Sequence, residues 1–123
     1  METGILAIKA ISSPLCSMSF IITNPTTASD GPVWRCPVAI TIVGLHGVEI
    51  GGTNLVGMLT ECDANGANPV VINSSDMTIL TTNVNMTSFS NPSIDAGDYI
   101  GWNTTSVSGA VTQCIITFEY TID

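Results

Sequence analysis

Positive charge is almost missing from this chain. Lys9 and Arg35 are its only cations, against ten acids, for a net charge of −8 over 123 residues. Charged residues make up 10% of the sequence, far below the share of about 25% usual in soluble domains. Two cations cannot displace enough counterions to hold a phosphate backbone, which excludes a nucleic-acid partner. The same scarcity excludes docking on an anionic membrane. Long apolar runs are missing too. Every uncharged stretch is broken by Gly, Pro, Asn or Thr before it reaches the roughly 20 residues of a membrane span. The opening "METGILAIKAISSPL" places Glu2 ahead of any cation and has too short an apolar run for a secretion signal, so an unprocessed cytoplasmic product is expected.

Closely spaced metal ligands are also lacking. Cys16, Cys36, Cys62 and Cys114 stand 20, 26 and 52 residues apart, with no C-x-x-C and no histidine nearby in sequence. Zinc needs close ligand pairs, so no metal site is expected. Buried free thiols acting as small hydrophobes are the leading reading, with disulfides open if the protein leaves the cell.

What the chain does have is Thr, Val and Ile in short runs between turn signals. These β-branched residues fit a pleated surface. Residues 33–43 alternate, with Cys36, Val38, Ile40 and Ile42 on one face, and read as a half-buried strand in which Pro37 marks an edge or a start at Val38. "GLHGVEIGGTN" reads as a turn, 55–62 as a strand, and "CDANGANP" as a loop. Short strands follow at 70–73, 77–82 and 85–89. The last thirty residues read as two strands joined by a hairpin at 107–110. No segment shows a capped helical period. The expectation is one domain over 1–123, an all-β antiparallel sandwich of about eight short strands with no substantial helix. Trp102, Ile116 and Phe118 are its expected core, and Asp95, Gly97 and Asp98 a structural turn whose carboxylates bond nearby amides.

Chemistry finds little support. His46 is the only histidine, and its "GLHGV" setting reads as an exposed turn. No nucleophile motif accompanies it. Glu61 with Asp63, or Asp95 with Asp98, could act as paired carboxylates, but strand-end and turn roles account for them. "ECDANGAN" resembles a calcium loop faintly and lacks its final Glu, since Ser74 stands there. Three N-x-S/T matches, at Asn73, Asn85 and Asn103, are chance products of a Thr/Ser/Asn-rich chain. No catalytic residue and no cofactor is expected. A surface so poor in charge suits a chain covered by copies of itself or by a larger assembly.

At "SIDAGDYIGWNTTSVSGAVTQCIITFEYTI" the sequence resembles small jelly-roll β-sandwich domains of tailed bacteriophages. These occur as head decoration (cement) proteins and as C-terminal domains of tail fibres. Ile94, Ala96, Gly97, Asp98, Ile100, Trp102, Val107, Ile116 and Phe118 carry the likeness, which spans roughly residues 33–122. The resemblance implies a homotrimer in the virion, made in the host cytoplasm. A cement trimer would clamp neighbouring copies of the major capsid protein; a fibre tip would bind a receptor, often a glycan. No coiled-coil or collagen-like shaft precedes the domain, so decoration is the leading expectation. A carbohydrate-binding module outside phages and a small hydrolase rank behind both. Residues 1–14 are expected to be either a first strand or a docking arm, with Ile5, Leu6, Ile8 and Lys9 as its contact residues.

Overall fold

The computed structural model describes residues 14–123. The expected contact residues Ile5, Leu6, Ile8 and Lys9 therefore lie outside the described part. Among the described residues there is no helix, and eight antiparallel strands form one sheet. They are β1 (Leu15–Thr23), β2 (Gly31–Arg35), β3 (Ile40–Cys62), β4 (Val70–Val71), β5 (Met77–Ile79), β6 (Val84–Met86), β7 (Ser93–Ile94) and β8 (Tyr99–Ile122).

Two of these strands are not short. β3 runs for 23 residues and β8 for 24, and they pair along nearly their whole length, from Ile40 opposite Ile122 to Cys62 opposite Tyr99. Every other strand fringes this ribbon. β1 pairs with the second half of β8 and β2 with its first half. β7 and β6 line the first half of β3; β5 and β4 line the second.

Three expectations are corrected here. The hairpin at 107–110 does not form, because both halves of β8 pair with β3 and not with each other. "GLHGVEIGGTN" is the middle of β3, not a turn. The run 33–43 is two strands, broken at residues 36–39, where Pro37 cannot donate to a ladder and Val38 lies exposed.

The ribbon doubles over. Phe20 is registered beside Ile116, yet its ring lies 6.2 Å from that of Trp102. Along a straight strand those positions on β8 would be about 46 Å apart, at about 3.3 Å per residue. Trp34 sits opposite Ile100 and touches Phe118 and Tyr120, both at 5.7 Å. The two halves of the sheet therefore lie face to face, as the layers of a sandwich do. The corner falls at 50–54 and 108–110, where the register shifts twice. Gly51 and Gly109 adopt φ of +95° and +78° there, values that side-chain-bearing residues rarely take. Glu49, buried, braces the corner by accepting a hydrogen bond from the Gly52 amide at 3.2 Å.

Between the layers lie Ile40, Leu45, Leu55, Leu59, Ile72, Ile79, Ile94, Ile100, Trp102, Ile116 and Phe118, all essentially buried. Trp102 packs against Gly57, where an added Cβ would come within 2.5 Å of the indole. Its Nε1 donates to Thr104 Oγ1 (3.0 Å), which donates in turn to the Ser29 carbonyl (3.0 Å), so the one polar atom of the ring is satisfied inside the core.

Candidate functional site

Three features stand out: an outer sheet face, a carboxylate cluster and a small cleft.

The outer face belongs to β1, the second half of β8 and the first half of β3. Period two sends Met18, Phe20 and Ile22 inward and leaves the odd-numbered residues of β1 outside. Register then fixes five cross-strand rows. They read Leu15–Thr121–Thr41, Ser17–Glu119–Gly44, Ser19–Thr117–His46, Ile21–Ile115–Val48 and Thr23–Gln113–Ile50. Asn85 of β6 extends the third row, opposite His46. Only Glu119 and His46 in these rows are ionisable, and they meet each other. Glu119 lies across the bare backbone of Gly44, and its Oε1 reaches His46 Nε2 at 2.9 Å. His46 Nδ1 bonds the Asn85 side-chain oxygen at 2.5 Å, and Asn83 Nδ2 donates to that same oxygen at 2.6 Å. Ser19 and Thr117 close a hydroxyl–hydroxyl bond of 2.7 Å.

His46 is thus a strand residue, not an exposed turn residue. Two acceptors face its two ring nitrogens. Neutral imidazole carries one N–H and satisfies one of them; imidazolium satisfies both. The bond to Asn85, and after it the bond to Glu119, hold the imidazole pKa above its usual value. Neither nitrogen is directed at a hydroxyl or thiol.

The carboxylate cluster joins Glu61 of β3 to Asp95 and Asp98, on the turn between β7 and β8. One oxygen from each lies within 4.8 Å of the others. Glu61 is fixed by Asn91 Nδ2 (2.8 Å) and the Asp95 amide (3.2 Å). Burial raises its pKa, and the hydrogen bond and negative charge of Asp98 add to the rise. A hard cation would fit the same three oxygens. Gly97, at φ +90°, turns the chain here. Its amide donates to the Cys36 carbonyl (2.7 Å), and the Cys36 amide donates to the Asp98 carbonyl (2.8 Å), so the Asp95–Gly97–Asp98 turn is clamped to the end of β2. Asp63 stays apart. Its carboxylate accepts from the Asn65 and Ala67 amides and from Asn68 Nδ2, and these bonds hold its pKa below the usual value. "ECDANGAN" is therefore closed on itself by Asp63.

The cleft, about 310 Å³, opens beside the start of β2 and is lined by Asp30, Thr60, Cys62, Trp102 and Asn103. The cysteines are not a site: Cys36, Cys62 and Cys114 are buried, Cys16 is half-buried, and all four are free.

Sequence reasoning placed Asp95, Gly97 and Asp98 in one turn but did not bring Glu61 to them, nor Glu119 and Asn85 to His46. The last two stand 73 and 39 residues from the histidine, and only strand register joins them.

No family model matches the chain, and no curated protein matches it. Solved structures do align over most of its length. A Bacillus endospore appendage protein, from a family of disulfide-linked pili, aligns at 9% identity and TM-score 0.42, over 91% of this chain and 92% of that one. A capsid structure of Helicobacter pylori bacteriophage KHP30 aligns at 7% identity and TM-score 0.46, over 91% and 90%. The capsid asymmetric unit of cyanophage Pam1 aligns at 16% identity and TM-score 0.39, over 89% and 84%. These TM-scores are low, and none of the alignments assigns the chain a role.

Proposed function

We propose that this chain is a non-enzymatic structural protein of a bacteriophage virion, a capsid decoration protein that forms homotrimers on the head and clamps neighbouring copies of the major capsid protein. The observation that carries this reading is the outer face: five rows over three strands whose only ionisable members, His46 and Glu119, bond each other, with the Asp123 carboxylate accepting from Thr41 on the end row. Such a face is unsuited to solitary life in water and suited to being covered. The sequence likeness of residues 33–122 to phage jelly-roll domains supplies the setting. The occupied nitrogens of His46 favour a binding role over catalysis. The scarcity of cations argues against nucleic acid or membrane as the partner.

The test is addition of purified protein to undecorated heads, followed by cryo-electron microscopy. Trimeric density on the shell supports decoration. Density confined to the tail, or none on the particle, sinks it. Removing residues 1–12 adds a second arm. A folded protein that no longer attaches assigns docking to that segment, and one that attaches normally removes that role from it.

A receptor-binding fibre tip is the second reading. The cleft beside Asp30 favours it, because a carboxylate, a hydroxyl and an amide line one opening of a size to admit a small polar ligand. A glycan array that stays blank with the assembled protein dismisses this reading.

A further inference from the structure

Four side chains form one hydrogen-bonded line: Glu119 of β8, His46 of β3, Asn85 of β6 and Asn83 just before it. The two ends of this line differ in what they can do. A carboxylate only accepts, so Glu119 Oε1 requires a proton on His46 Nε2, 2.9 Å away. A carboxamide carries an oxygen on one side and an NH2 on the other, and exchanges them by turning over. Asn83 and Asn85 are both exposed, where such a turn costs little.

In the structure Asn85 Oδ1 receives two donors, Nδ1–H of His46 and Nδ2 of Asn83 at 2.6 Å. With Nε2–H committed to Glu119, this arrangement needs imidazolium. Removal of one proton leaves a single N–H. Glu119 retains it, because a bond to a charged acceptor is the stronger. Nδ1 then presents a lone pair to the oxygen of Asn85. The clash is relieved when Asn85 turns over and donates to Nδ1. Its Nδ2 then meets Nδ2 of Asn83, donor against donor, until Asn83 turns over too and accepts from it. Every donor in the line again has an acceptor, but the polarity beyond His46 has reversed. Among the described residues no other charge competes for the ring. β1 and β8 set Ser19 and Thr117 beside it, and Glu49, the next acid along β3, is buried.

We propose that His46 is a proton switch whose state Asn85 relays to Asn83 at the surface. With imidazolium, Asn83 offers its amide oxygen, an acceptor. With neutral imidazole it offers its NH2, a donor. The row Ser19–Thr117–His46–Asn85 therefore leads to a group whose hydrogen-bonding sense follows pH. The inference needs no partner and does not rest on the virion reading.

The experiment measures side-chain NH2 exchange with water by NMR, together with titration of the His46 ring, in the 15N-labelled full chain. Asn65, which is exposed, serves as the reference for the general rise of exchange with pH. As His46 loses its proton, the Asn85 NH2 should slow relative to the reference, on the order of tenfold, because it becomes bonded. The Asn83 NH2 should quicken, because it loses its acceptor. Glu119→Gln separates the relay from any general effect of pH. The new carboxamide can itself turn over and donate to Nε2, so neutral imidazole keeps Nδ1–H on Asn85 and both asparagines stay as they are. In that variant the ring should still titrate while the opposed changes at Asn83 and Asn85 vanish. Wild-type asparagines that ignore the ring overturn the relay, and so does a Glu119→Gln protein in which they still reverse. A ring that holds its proton throughout the pH range of stable folding overturns it as well.

Discussion

At the scale of single residues, the core hangs on Trp102. It is 2% exposed, packs against Gly57, meets Phe20 edge-on and spends its N–H on Thr104. Truncation to Ala leaves a large void between two layers that cannot both collapse into it. The expected loss is on the order of 3–5 kcal/mol, read from denaturant midpoints; an unchanged midpoint would place the indole outside the core. His46 gives a prediction of opposite character, because it lies outside. Its folded-state pKa is raised above the unfolded value, so its contribution to stability is complete below about pH 6.5 and fades as pH climbs through the raised value. Wild type should therefore lose stability as pH rises from about 6.5 through the raised value, and His46→Gln should lose less over the same rise. Parallel curves for the two proteins would mean that the Asn85 and Glu119 contacts contribute nothing. No local signal marked this histidine. Its glycine neighbours imitate a turn, whereas Gly44 and Gly47 are small because Glu119 and Ile79 lie against them. That reason is tertiary and invisible to a local window.

At the scale of elements, the corner of the ribbon decides the architecture. The alternation of residues 55–62 and 111–122 was legible, because one face of each strand must be apolar wherever the other layer lies. The joining of these runs into β3 and β8 was not. Ser108-Gly109 carries the composition of a hairpin, and a local reading cannot distinguish a strand that reverses beside itself from one that bends and keeps its partner. Gly52 and Gly109 face each other across that bend, and the choice between hairpin and corner lies with the pairing of residues about sixty positions apart. Gly109→Val tests the corner. The φ of +78° disfavours any Cβ, and the new carbon would stand 2.8 Å from the Thr53 amide. A loss of at least about 1–3 kcal/mol is expected from the backbone alone. A variant as stable as wild type would show a corner loose enough to adopt another conformation.

At the scale of the whole molecule, closure of the layers seals the thiols. Burial pushes the Cys114 thiol up to about 12, with the charge of Glu49 behind it, and burial raises Cys36 as well. Neither thiol forms appreciable thiolate at neutral pH, and both lie out of reach of reagents. A thiol reagent should modify Cys16 in the native protein and reach Cys36, Cys62 and Cys114 only on unfolding. Prompt reaction of all four would contradict the closed sandwich. The cysteine expectation drawn from composition and spacing points the same way, but which of the four lies nearest solvent needed the position of Cys16 on β1.

The ribbon also sets a timetable for synthesis. β1 leaves the ribosome well before its registered partner, the second half of β8. β2 and β3 wait for the same strand. Until β8 emerges, β1 and β2 have no partner strand and β3 has only the short strands β4 to β7, and pairings between such distant segments form slowly. A chain stalled before residue 99 should therefore be digested by protease on the ribosome as readily as an unfolded one, with resistance appearing only once β8 is free to pair.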